Sequence, residues 1–486
     1  MTGRRSAAEI RAGLDHPVID ADGHWVEFAP LVLDELERIG GSIAAEGFDR
    51  TATRVTEALE MTIEERNHRR VAEQCWWGYP TVNARDRATS LMPALLSERL
   101  GEFGFDFAVM FPTHGLGSVR LVDAEMRQAT CRAFNTFMAE YFGDYSDRLT
   151  PAAVIPMHTP SEAIAELEHA RLELGLKAVV MSSLMPRPIA AYLDEPGRGA
   201  RTMATWPDTL GIDSAHDYDE VWAACAELGV SPTFHMGSRG YGFRVSPTNF
   251  TYNHIGHFAQ ASEAVCKSLF LAGVTARFPQ VKFGFLEGGV AWAANLYADL
   301  IGHWEKRNAE AMEATNPANI DWPAMTELAD RYGHPKVAAA IRERRGLDYS
   351  EGSASNGHLV ELDDFAACNI SEASDIRDLF VESFYFGCEA DDRLNPLAYQ
   401  SDAHPFGARF KTLFGSDIGH FDVVDMAEVL GEAHELVDEQ LVTADDFRDF
   451  VYTNPVRFWG EANPAFFEGT AVEDAAYALL GSAAPA

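Results

Sequence analysis

The chain has 486 residues, of which 47% are hydrophobic and 11% aromatic, enough apolar material to bury a large core. Its 74 acidic side chains outnumber 39 basic ones, for a formal net charge of −35. So acidic a surface disfavours nucleic acid and anionic membranes as partners and says little about the substrate, since a local basic pocket can sit inside an acidic shell. The six cysteines (Cys75, Cys131, Cys225, Cys266, Cys368 and Cys388) include no C-x-x-C pair. That spacing fits reduced, buried thiols in a cytoplasmic protein better than a disulfide framework or a cysteine zinc site. No apolar run approaches the ~20 residues of a membrane span, and the N-terminus carries no signal-like segment.

In chain order, residues 1–17 are a polar lead-in. Val18–Glu27 (VIDADGHWVE) starts as a buried strand and places Asp22 and His24 on either side of Gly23. Side chains two apart on a strand share a face, so a carboxylate and an imidazole project together, as in half of a Zn²⁺ or Mn²⁺ site. The same residues also fit a turn capped by Asp20 or Asp22 with His24 packed. Residues 29–100 read as a helical elaboration, with Trp76 and Trp77 in its middle; Trp77 is a candidate to line a ligand pocket, although paired tryptophans also serve a core. Phe105–Phe111, Pro151–Pro156, Lys177–Ser182, Ser231–His235, Val281–Leu286, Phe384–Gly387 and Thr412–Gly415 are short apolar strands separated mostly by helical segments. Residues 185–212 read as a loop and 291–380 as a helical insertion, serving as a lid or a dimer surface.

With the first strand these make eight, the number a closed barrel needs. Strands this apolar are buried on both faces, which predicts an α/β fold, a (β/α)8 TIM-like barrel with helical insertions. One elaborated domain is expected over 15–460, with a tail at 461–486. Active sites of such barrels lie at the strands' C-terminal ends. Those ends carry Asp22 and His24, then His235, Glu287 and Asp417, a donor set able to hold one divalent ion and leave a position open.

VIDADGHWVE, FHMG at 234–237, FGFLEGGVAW at 283–292 and LFGSD at 413–417 resemble the amidohydrolase superfamily, in its branch related to aminocarboxymuconate-semialdehyde decarboxylase. DRATSLMPALL at 86–96, GVTARFPQVKF at 273–283 and FGCEADD at 386–392 fit as well. The resemblance implies metal ligation by Asp22, His24, His235 and Asp417, with Asp417 also handling a proton. Met181-Ser182-Ser183 offers no lysine for a bridging carbamate, so it implies a mononuclear centre, Zn²⁺ first and Mn²⁺ second. Where decarboxylase relatives place a catalytic histidine this chain has Glu287, either a ligand or an acid/base.

His254 and His257, one helical turn apart, are candidates for general acid or base. Arg239 and Arg244 suit a clamp on a substrate carboxylate. His420 lines the pocket, and His114, Asp391 and Asp392 face the same end. The expected activity is metal-dependent cleavage of a C–C bond, by decarboxylation or hydrolysis, in an aromatic or ring-fission carboxylic acid. The alternatives are a metal-dependent hydrolase of an amide, ester or lactone, and a catalytically silent barrel used for binding or assembly. A homodimer is the expected assembly.

Overall fold

A computed structural model describes residues 5–73, 82–190, 204–344 and 363–481. Among the described residues ten strands form: β1 (Ile19–Trp25), β2 (Phe107–Pro112), β3 (Leu149–Ile155), β4 (Ala178–Met181), β5 (Met185–Pro188), β6 (Thr205–Asp208), β7 (Pro232–Phe234), β8 (Phe283–Phe285), β9 (Phe384–Glu389) and β10 (Lys411–Gly415). Eight of them pair in parallel in the order β1-β2-β3-β4-β7-β8-β9-β10 and curl into the predicted (β/α)8 barrel with helical insertions. β1, β2, β7 and β8 are buried at every position, as expected where helices cover one face and a packed interior fills the other.

The seam between β1 and β10 is closed by a side chain. The Asp20 carboxylate, fully buried, accepts from Ser416 N at 3.0 Å and Ser416 Oγ at 2.5 Å. Just beyond, Asp417 N donates to Asp22 O and His24 N donates to Ile418 O, both at 3.1 Å. The first and last strand ends are thereby stitched together where ligands are expected.

Residues 29–100 are helical where described (Ala29–Gly40, Ser42–Glu60, Ile63–Arg69, Ala84–Leu91 and most of Pro93–Phe103). Trp76 and Trp77 lie outside the described residues. The segment read as a loop at 185–212 contains the antiparallel β5–β6 hairpin. Arg187 holds it: its Nε donates to Asp208 at 2.9 Å and its Nη2 to Tyr218 Oη at 2.8 Å, a buried polar knot that no alternation pattern announces.

Within 291–380, Ala291–Arg307 and Ala373–Ser383 pack on the barrel through Tyr297 and Phe380, whose rings lie 5.4 Å apart. Trp322–Tyr332 and Pro335–Arg342 gather instead around their own cluster of Ala329, Ala338 and Ile341. The tail expected from 461 is built in: Phe466 and Phe467 are buried against Phe107 at the start of β2, and Glu473–Leu480 forms a helix. They cover the end of the barrel opposite the strand C-termini.

Candidate metal centre

β1 presents its pair through a bulge. Its register against β2 jumps between Asp20 and Gly23, so the strand bends there and re-aims its side chains. Gly23 is required by packing, since a Cβ would stand 2.6 Å from Asp20 Oδ2. Across the seam Gly415 leaves room for Asp22, whose Cβ would lie 3.0 Å from an added methyl. At the ends of β8 and β10 the chain turns sharply inward, Glu287 and Asp417 both adopting left-handed backbone (φ 58° and 49°). For side chains bearing a Cβ this conformation is strained, and it recurs where function over-determines the geometry.

These turns bring the donors to one point. His24 Nε2 and His235 Nε2 face each other at 3.0 Å. Asp22 Oδ1 is 3.6 Å from the first and 3.4 Å from the second. Asp417 Oδ1 lies 3.6 Å from His24 Nε2, and Glu287 Oε2 lies 3.2 Å from His235 Nε2. Atoms bound to one ion at about 2.0–2.2 Å stand roughly 3–3.5 Å apart around it, which is the spacing of this set. Asp22 Oδ1, Glu287 Oε2 and Asp417 Oδ2 are buried without a hydrogen-bond partner. Buried carboxylates left this way are costly unless a cation meets them, so the donor set fits a divalent ion.

Asp22, His24, His235 and Asp417 are each exposed by 4% or less. The imidazoles are oriented by packing, since Nδ1 of His24 and of His235 has no hydrogen-bond partner. His24 stacks on His420 at 4.0 Å, and His235 sits between Phe111 (5.8 Å) and Phe258 (5.4 Å).

The model of the amidohydrolase family matches residues 19–348. The chain belongs to the amidohydrolase family. Among solved structures, an amidohydrolase from Mycobacterium avium subsp. paratuberculosis is similar at 17% identity and a TM-score of 0.50, covering 92% of this chain and 98% of that one. A 2,6-dihydroxybenzoate decarboxylase from Rhizobium is 12% identical (TM-score 0.47, 91% and 98% covered). A 5-carboxyvanillate decarboxylase from Sphingomonas paucimobilis is 15% identical (TM-score 0.44, 91% and 98% covered). No curated protein matches the chain by sequence.

In this amidohydrolase the charges around the donor set are unbalanced. Burial raises the Asp22 carboxyl, but His235 and His24 outweigh it and hold the group at about 2. Burial pushes Asp417 well above its ordinary range, and the charges of Glu287, Asp422 and Glu389 push it further. Glu287 is raised in the same way, by burial and then by Glu389 and Asp22. His420 touches Asp417 Oδ1 with Nδ1 at 2.6 Å and meets Thr113 Oγ1 with Nε2 at 3.2 Å; burial keeps its ring neutral.

His254 and His257 stand together, ring centres 4.7 Å apart, beside a cavity of about 330 Å³ that also reaches Glu287, Glu389, Asp391, Asp392 and Asp422. Burial lowers both, His257 to about 2, so they are neutral hydrogen-bonding walls at physiological pH. Arg239 lies near this group, its guanidinium 5.9 Å from the Phe250 ring and its charge felt by Glu287. Arg244 closes its own loop, donating to Gln260 Oε1 at 2.7 Å and Ile255 O at 2.9 Å. His114 donates its backbone N–H to Glu27.

Sequence reasoning missed Asp20, Glu389 and Asp422. Asp20 and Glu389 had a signal, each being a carboxylate inside or ending an apolar strand. Asp422 had none.

Gly237 makes a testable contact, for a Cβ there would lie 1.9 Å from His257 Nδ1. Gly237→Ala is expected to displace the His257 ring, lower stability by about 1–3 kcal/mol and reduce activity, with metal content unchanged. Urea midpoints and elemental analysis of the same preparation check this.

Proposed function

We propose that this amidohydrolase is a divalent-metal-dependent enzyme that uses water to cleave a bond to an activated carbonyl carbon. The bond is a C–C bond in an aromatic or ring-fission acid, or that of an amide, ester or lactone. One observation carries the hydrolytic reading. Glu287, its Oε2 buried without a hydrogen-bond partner, joins Asp417 at the His24–His235 pair, and it stands where decarboxylase relatives are expected to offer histidine.

Asp22, His24, His235 and Asp417 would hold the ion, and two imidazoles with two carboxylates suit Zn²⁺ or Mn²⁺. Such an ion, when bound, polarises a carbonyl and lowers the pKa of water to about 7. Asp417 accepts the proton of the attacking water at a free oxygen. Glu287 returns a proton to the leaving group as the bond to the carbonyl carbon breaks. Phe111 and Phe258 keep bulk water from the imidazoles, and Arg239 offsets the charge of Glu287 and is placed to meet a substrate anion.

Decarboxylation of an aromatic acid is the second reading, favoured by that arginine. The two part on where oxygen goes. With a panel of esters, lactones, β-diketone acids and hydroxybenzoates in H₂¹⁸O, the product is expected to carry ¹⁸O. Release of CO₂ with no label in the organic product would overturn the hydrolytic reading. Glu287→Gln is expected to lower turnover about 10²–10⁴-fold while metal content stays at the wild-type level.

A further inference from the structure

We propose that Thr113 is a positioning residue for Asp417: it fixes the His420 ring in the Nε2–H tautomer and so keeps an open Nδ1 against the Asp417 carboxyl. The inference rests on the reading of Asp417 as the group that takes a proton from water, and it assigns the device that keeps this carboxyl basic.

A threonine hydroxyl has one hydrogen to give. Thr113 Oγ1 donates it to Trp25 O at 2.8 Å, and a carbonyl oxygen only accepts. Toward His420 Nε2, 3.2 Å away, the same hydroxyl is therefore the acceptor, and Nε2 carries the ring hydrogen. A buried, neutral imidazole has no second one, so Nδ1 is left as a lone pair. Nδ1 is the nitrogen that lies 2.6 Å from Asp417 Oδ1.

The fold holds both ends of this chain of contacts. Thr113 follows directly on β2, whose last residue, Pro112, is paired with Trp25 at the end of β1. The next two N–H groups, of His114 and Gly115, donate to the buried Glu27 carboxylate at 2.8 and 2.7 Å. Thr113 has little freedom between those anchors. His420, 5% exposed, stacks on His24 at 4.0 Å, and its own N–H returns to Asp417 O at 3.3 Å. Gly419 lets this turn close on β1: its φ is 99°, and a Cβ there would stand 3.0 Å from His24 O.

The tautomer sets what Asp417 can do. An Nδ1–H would donate to Oδ1, favour the anion and weaken it as a base. An open Nδ1 makes no such demand. It leaves the carboxylate basic toward water and gives the accepted proton a place between Oδ1 and Nδ1. Thr113 acts on this through His420.

The test uses the metal-stripped full chain labelled with ¹⁵N-histidine and reads the His420 ring by long-range ¹H–¹⁵N correlation, assigned by its loss in His420→Gln. Wild type is expected to show a protonated Nε2 and a bare Nδ1. Thr113→Val, which keeps the shape without the hydroxyl, is expected to lose that pattern. Reloaded with Zn²⁺ or Mn²⁺, it should hold wild-type metal with turnover lowered about 10–100-fold. Thr113→Ser, which restores the hydroxyl, is expected to recover the tautomer and most of the turnover. An Nδ1–H in wild type, or an unchanged ring in folded Thr113→Val, would overturn the assignment whatever the substrate. Equal loss of turnover in the serine and valine variants would reduce Thr113 to a packing residue. The expected tautomer in a wild type that takes up no ion would instead overturn the metal centre on which the reading of Asp417 rests. The wild-type spectrum decides the tautomer even if a variant misfolds.

Discussion

His235→Ala is expected to leave purified protein with less than about one-tenth of the wild-type metal and to lower turnover at least ~10³-fold, since binding and chemistry are lost together. His235 Nε2 lies within 3.4 Å of three other donor atoms, on His24, Asp22 and Glu287. Removing it leaves those three without a common centre and takes from Asp22 the larger of the two imidazole influences that keep it ionised. The ring also fills space between Phe111 and Phe258, so circular dichroism must accompany elemental analysis. Full metal retention in a folded variant would remove His235 from the centre. Wild type without any ion, after supplementation with Zn²⁺ and Mn²⁺, would make the silent-barrel reading the one to pursue.

Asp20→Ala is expected to cost about 3 kcal/mol of stability at pH 5 and to weaken metal retention, although Asp20 touches no ion. Its carboxylate serves Ser416 N, Ser416 Oγ and Asp22 N at 3.0, 2.5 and 3.2 Å, and truncation leaves three buried donors at about 1–3 kcal/mol each, offset in part by local relaxation. The seam would loosen where Asp22 and Asp417 meet. Asp20→Asn separates charge from hydrogen bonding. Burial pushes the Asp20 carboxyl up to about 7, above its unfolded value near 3.8. A raised folded pKa means the protonated group favours the fold below about pH 4, and that contribution is lost as pH rises through 7. In metal-stripped protein, the urea midpoint of Asp20→Asn should therefore gain on wild type between about pH 4 and 7 and keep that gain above it. A gap that does not change with pH would place the titrating group elsewhere.

The barrel was legible in the sequence because its signal is local. Strands such as FAVMFP, buried at every position, need no knowledge of their neighbours to be read as parallel and covered, and eight of them separated by helices leave few alternatives. The donor set was legible for a related reason. Strand C-termini share one end of the barrel, so Asp22, His24, His235, Glu287 and Asp417 converge whatever the side-chain details. The roles of the arginines were not legible. Arg239 and Arg244 stand five apart on one loop, yet Arg244 is consumed by Gln260 and Ile255 while the charge of Arg239 is felt by Glu287.

Other features belong to the tertiary structure alone. Asp20 sits two residues from Asp22 and reads as another strand position until the seam brings Ser416 to it from 396 residues away. Glu389 is one acid in CEADD, and only the order β8-β9-β10 singles it out to join Glu287 and Asp417. The tail reads as a run of small residues, yet folding back puts Phe466 and Phe467 under β2. Hydrophobic periodicity is a property of neighbours along the chain, so strands and strand ends follow from it. Which carboxylates share a charge balance depends on distances between strands far apart in sequence, and that is settled only when the barrel closes.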